Sequence, residues 1–116
     1  MKPFIREYTN DEKLENDIQS LKDSSVDAEN IYVISHDDDR TNRIAKNAGA
    51  NTIGMKEMKM GSAISNVFKK KGDELRTKLK DIGFSQEDAE NYEEKMDEGK
   101  VLLIVTNTDN PERYLV

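Results

Sequence analysis

No cysteine occurs among the 116 residues. Disulfides, thiolate chemistry and zinc–sulfur sites are therefore excluded, and a reducing compartment fits. Long apolar runs are missing as well: nothing approaches the roughly 20 apolar residues that a membrane-spanning helix requires. The opening MKPFIREYT has no extended apolar region of the kind found in secretory signals, so the expected location is cytoplasmic, with no membrane contact. Phosphate-cradling loops are lacking too. Gly49, Gly54 and Gly61 do not fall as G-x-G-x-x-G, and no G-K-[ST] is present. The single histidine, His36, cannot build a histidine-cluster metal site. No serine or cysteine nucleophile motif accompanies it, so it reads as a surface or capping residue.

What is abundant is charge: 36% of residues, with a net balance of −6. Its distribution is uneven. Residues 1–55 carry 7 basic and 11 acidic groups, residues 56–84 carry 8 and 4, and residues 85–116 carry 3 and 9. A basic middle thus lies between acidic flanks. That pattern bears on solubility and association more than on fold. The length suits one domain that buries roughly two thirds of its unfolded surface without staples. We place it at 1–106, followed by a tail at 107–116.

PFIREY, residues 3–8, reads as a first strand. Thr9 and Glu12 give a capping-box spacing, and Leu14, Ile18 and Leu21 then form a narrow helical stripe. Ile31-Tyr32-Val33-Ile34 is an unbroken apolar run, expected of a strand covered on both faces. A helix follows with Ile44, Ala45 and Ala48 on one side, stopped by Gly49. NTIGM, residues 51–55, suits a short third strand. From Met58 to Ile82 the pattern is helical, as one helix or as two jointed at Gly72, and Gly83 ends it. Ser85 starts a last helix with Ala89, Tyr92 and Met96 as its buried stripe. VLLIV, residues 101–105, is the most apolar run and the expected central strand.

The order β-α-β-α-(β)-α(α)-α-β predicts an α/β fold: a small mixed sheet of three to four strands with helices packed on it. The first two strands should be joined by a right-handed crossover, with room between them for VLLIV. Either a ferredoxin-like split β-α-β or a small three-layer arrangement satisfies these constraints.

Three aspartates, Asp37, Asp38 and Asp39, stand directly behind the second strand. Carboxylates there suit the start of a helix, whose unpaired N–H groups carry partial positive charge; each stabilises it by roughly 0.3–1 kcal/mol. One of the three is the expected N-cap. The sharper alternative is a metal or phosphoryl site, because ligands gather at the carboxyl ends of strands in open α/β sheets and clustered carboxylates hold Mg²⁺. That site would need Asp11 after the first strand and Asp109 after the last. No cofactor is otherwise implied.

Lys69, Lys70, Lys71, Arg76, Lys78 and Lys80 form a basic stretch suited either to phosphate contacts or to a solvated surface facing the acidic last helix. With a net charge of −6 and no aromatic cluster beside it, nucleic-acid binding is the weaker reading. Met55, Met58 and Met60, with Tyr114, Leu115 and Val116, either complete the core, with methionine as gap-filler, or form a patch that a two-fold homodimer would cover. Failing that, an unidentified protein partner would cover it.

Two stretches, taken together, resemble a known family. One is IYVISHDDDRTNRIAKNAGANTIG. The other is GDELRTKLKDIGFSQEDAENYEEKMDEGKVLLIV, with Gly83-Phe84, Glu87, Ala89, Tyr92-Glu93, Gly99 and Val101-Leu102-Leu103 at fixed spacing. The chain is similar over residues 2–106 to the heat-induced stress protein YflT-like domain family of small bacterial general stress proteins. The resemblance implies a cytoplasmic bacterial protein raised under stress, and it supplies no catalytic residues. Members often carry a glycine-rich middle, which here shrinks to GSAIS, Gly61–Ser65. A non-enzymatic stress-response role through protein association is the expectation.

Overall fold

The computed structural model describes residues 2–53 and 71–115. Element order is β1 (Phe4–Tyr8), α1 (Asp11–Asp23), a 3-10 turn (Ala28–Asn30), β2 (Ile31–Ile34), α2 (Asp38–Ala48), β3 (Asn51–Thr52), α3 (Lys71–Ile82), α4 (Gln86–Asp97), β4 (Val101–Val105) and a closing 3-10 turn (Pro111–Tyr114).

VLLIV lies between the first two strands, as its composition predicted. The four-stranded sheet has the order β1-β4-β2-β3. β4 runs antiparallel to both β1 and β2, so those two are parallel to each other, and β3 pairs parallel with β2. All five β4 residues are buried because both faces of the sheet are covered. The side-chain period of two divides the strand between two cores. Val101, Leu103 and Val105 join Leu14, Ile18 and Leu21 of α1 and Ile44 and Ala48 of α2. Leu102 and Ile104 join Leu75 and Leu79 of α3 and Ala89 and Met96 of α4. Neighbouring strands obey the same division: Val33 opposes Leu103 in the first core, and Ile34 opposes Leu102 towards the second. The fold is the three-layer form of the split β-α-β arrangement. Full burial of a Leu or Ile is worth roughly 1.5–3 kcal/mol, so β4 alone anchors both layers.

The helix limits are mostly those the residues demand. The cap of α1 is displaced by one position, however: Asn10, not Thr9, accepts the Lys13 amide at 3.0 Å. An Asn side chain caps at least as well as Thr, and using it leaves Thr9 in the turn. Gly72, the joint in one of the two readings of this segment, lies inside α3. A Cβ there would stand 3.1–3.2 Å from Arg76 Nη1 and the Glu93 carboxylate, so the glycine admits α4's side chain close to α3. Whether 58–82 forms one helix or two falls on residues outside those described, as do Gly54 and Met55 of the third-strand segment and Gly61–Ser65.

The tail is packed. Thr106 N donates to Asn30 O at 2.8 Å, and Tyr114 and Leu115 lie against the α1/α2 core. That contact takes up Tyr114 and Leu115, two of the apolar residues that the sequence offered to a dimer patch.

At the end of α2, Gly49 adopts φ +71 with its amide on Ala45 O, and Lys22 Nζ reaches over it to Ala48 O at 3.0 Å. An added Cβ would meet that ammonium as well as a left-handed backbone. Gly49→Ala is expected to destabilise the fold by about 1–2 kcal/mol, read as a lower urea midpoint at unchanged slope. An unchanged midpoint would contradict the tight turn.

Candidate functional site

β1 and β2 point their carboxyl ends the same way, which brings Thr9–Asp11 and Ser35–Asp39 to one end of the sheet. The start of β4 lies there too, since Tyr8 opposes Val101 and Ile34 opposes Leu102. Asp109 does not join them. It follows Val105, which opposes Phe4 and Ile31 at the far end, about 13 Å along a five-residue strand. An antiparallel central strand exports its carboxyl end away from those of its neighbours, and element order alone does not reveal that. The constellation of Asp11, Asp37–Asp39 and Asp109 is therefore not assembled.

The remaining aspartates have identifiable work. Asp37 is the N-cap of α2 and accepts the Arg40 amide at 3.1 Å. Buried Ser35 backs this turn, donating to Asp37 O at 2.9 Å and meeting Thr41 Oγ1 at 2.6 Å. Asp38 receives Lys71 Nζ at 2.6 Å. Asp39 stands exposed in the first turn of α2. Asp11 is gripped by Arg40, with Nη2–Oδ1 at 2.6 Å, and by Arg43 at 3.1 Å. Arg40 also donates to Gly99 O at 2.8 Å and Thr9 O at 3.2 Å. One guanidinium thus fastens the loop before α1 and the turn before β4 to the start of α2.

Arg40's hydrogen bond, followed by an opposing desolvation and the bond from Arg43, holds the Asp11 carboxyl below its usual range. A depressed carboxylate stabilises the fold above its unfolded pKa of about 3.9, and that contribution is lost as pH falls through the lower folded value. Arg40→Lys cannot reproduce a planar fork serving three acceptors. This variant should lower the thermal midpoint at pH 7 by a few degrees and lose less stability than wild type on acidification from pH 5 to pH 2. Equal acid sensitivity would show that the grip on Asp11 does not matter.

Of the basic stretch, Arg76 and Lys80 reach α4, while Lys71 and Lys78 are held by α2 and by α3 itself. Lys71 also bonds Glu74 at 2.9 Å, and Lys78 reaches the same carboxylate at 3.1 Å. Arg76 pairs with Asp73 and with Glu93, the latter at 2.6 Å. Lys80 donates to Gln86 at 2.7 Å. Lys69 and Lys70 lie outside the described residues. The described cations are thus occupied by neighbouring acceptors, as a solvated face against an acidic helix would have them.

Another grouping was not read from the sequence. His36, two residues past β2, faces α4, and its Nε2 lies 2.8 Å from Glu93 Oε2. Arg76 of α3 donates to the other oxygen, Oε1. Asp97 stands one helical turn beyond Glu93, and His36, Glu93 and Asp97 each offer a ligand atom within 4.8 Å of the others. Among the described residues these three could hold a metal ion. The side chains of His36 and Glu93 are 27% and 15% exposed, so the pair is shielded while Asp97 faces solvent. The Glu93–Asp97 spacing was a visible signal, since i and i+4 share a helix face. What hid the group was distance: 57 residues separate His36 from Glu93. Tyr92, beside Glu93, is half-buried and stacks at a tilt on Phe84 with ring centroids 5.9 Å apart, a packing role.

Two hollows open among the described residues. One, of about 180 Å³, lies between α2 and α3 and is lined by Ser35, Asp38, Thr41, Ile53, Leu75 and Lys78, among others. The other is an open acidic groove of about 510 Å³ over α4, bounded by Glu7, Asp88, Tyr92, Glu94, Lys95 and Glu98. No described helix is long and apolar enough to cross a membrane.

Comparison with known proteins agrees with the pattern carried by β2, α3, α4 and β4. The chain is 53% identical over 109 residues, 94% of its own length and 95% of the other's, to General stress protein 17M of Bacillus subtilis (strain 168). No solved structure matches it. The model of the heat induced stress protein YflT domain matches residues 3–99, and the chain belongs to that family.

Proposed function

We propose that this protein serves the general stress response in the cytoplasm without catalysing a reaction, and that it acts by association, with a second copy of itself as the first partner. The stress role is supported by family membership and by the 53% identical relative named a general stress protein. The feature that carries the association is an apolar reserve in the sequence: Met55, Met58, Met60, Ile64, Val67 and Phe68 follow one another closely. Among the described residues, two helices already pack on each face of the sheet, and Tyr114 and Leu115 lie against the first core. An exposed apolar patch favours an interface, and a two-fold dimer is the commonest way for a soluble chain to supply one.

The absence of catalysis is supported by the disposition of the acids. Asp37 caps, Asp38 and Asp11 bind cations, and Asp109 is a strand-length away. A panel of phosphatase, nucleotidase and esterase substrates with Mg²⁺ or Mn²⁺ should give no turnover above background. Turnover that disappears in a D37N/D38N/D39N variant with intact folding would overturn the reading. DNA and RNA are expected not to bind at physiological salt, because Lys71, Arg76, Lys78 and Lys80 already meet neighbouring acceptors and the net charge is −6.

A further inference from the structure

We propose that His36, Glu93 and Asp97 form a binding site for a divalent transition-metal ion, of the zinc or manganese class. The donors come from two elements fixed by the fold. β2 ends two residues before His36, and α4 presents Glu93 and Asp97 one turn apart on a single face. Their ligand atoms already lie within 4.8 Å of one another. A tetrahedral ion with bonds near 2.1 Å needs its donors about 3.4 Å apart. His36 Nε2 and Glu93 Oε2, now 2.8 Å apart, open by about half an ångström to admit the ion, and Asp97, exposed on the helix surface, swings in by a side-chain rotation.

The surroundings prepare this set. Arg76 bonds Glu93 Oε1 at 2.6 Å, which leaves Oε2 turned towards His36. That is the outer partner which orients a ligating carboxylate. Arg76 is in turn paired with Asp73, so its charge is offset before it reaches the site. Gly72 supplies the room: a side chain at that position would press on Glu93 Oε2 at 3.2 Å. On binding, the ion takes the Nε2 lone pair that now faces Glu93 at 2.8 Å, and any proton carried on that nitrogen moves to Nδ1 or to solvent.

One imidazole and two carboxylates select the class of ion. The imidazole suits zinc and the two carboxylates also suit manganese, whereas magnesium and calcium prefer all-oxygen shells. Three protein donors leave at least one position for water, so the site binds without being closed. It shares no residue with the aspartates behind β2 and does not depend on self-association.

Isothermal titration and thermal unfolding of the full chain with Zn²⁺, Mn²⁺ and Mg²⁺ test it. One equivalent of Zn²⁺ or Mn²⁺ should bind. At a hundredfold excess over Kd the midpoint should rise by about 10 °C, with no shift from millimolar Mg²⁺. His36→Ala and Asp97→Asn should each abolish the rise, and Asp39→Asn should keep it. Asp97 is exposed, so its variant tests the site without threatening the fold. Absence of binding by either transition metal, or a rise that survives in both His36→Ala and Asp97→Asn, would overturn the proposal.

Discussion

Leu102→Ala and Leu103→Ala, neighbours on β4, should each destabilise the protein by about 2–5 kcal/mol. At this size that lowers the thermal midpoint by about 10 °C or more. Both residues are fully buried, in opposite cores. In a sheet with one solvated face, one of two consecutive residues points to water and tolerates truncation. Here neither does: Leu103 leaves a cavity against the α1/α2 core, and Leu102 one in the α3/α4 core. A neutral result at either position would remove one layer from the account.

A second large effect is expected at Tyr8. Its hydroxyl donates to Asp17 Oδ2 at 2.6 Å, and Lys13 Nζ reaches the other oxygen at 3.1 Å. Asp17 is 2% exposed and Tyr8 6%, so each polar group depends on the other. Asp17→Ala strands a buried phenol, and Tyr8→Phe leaves a buried carboxylate with one partner fewer. Each should cost about 1–3 kcal/mol, and the double variant Tyr8→Phe/Asp17→Asn less than the sum. The pair also predicts an alkaline signature. Burial first, then the bond to Asp17, raises the Tyr8 pKa. Stability that depends on the neutral phenol is complete below the unfolded value of about 10 and is lost as pH rises beyond it. Wild type should therefore lose more stability than Tyr8→Phe between pH 9 and pH 11, as judged by urea midpoints. Parallel curves would refute the assignment.

Much of this architecture was legible from side-chain period. Ile31–Ile34 and Val101–Val105 are apolar at every position, and only a sheet covered on both faces gives such runs a place. Leu14, Ile18 and Leu21 mark one helix face, and all three are fully buried. Asp17 on that face was not foreseen. A carboxylate one residue from Ile18 reads as solvent-facing until Tyr8 is known to lie over it. The aspartate run was read correctly as a helix start because capping is a local matter of unpaired amides. Its extension into a site with Asp109 failed because strand direction is not local. The same limitation concealed His36 with Glu93 and Asp97, where residue types and spacing were visible but the packing of α4 against the end of β2 was not.

Sedimentation velocity of the full chain across micromolar concentrations tests the proposed association most directly. The account predicts a concentration-dependent shift from a 13.3 kDa species towards one of twice that mass. A single 13.3 kDa species up to the highest concentration attainable would contradict self-association.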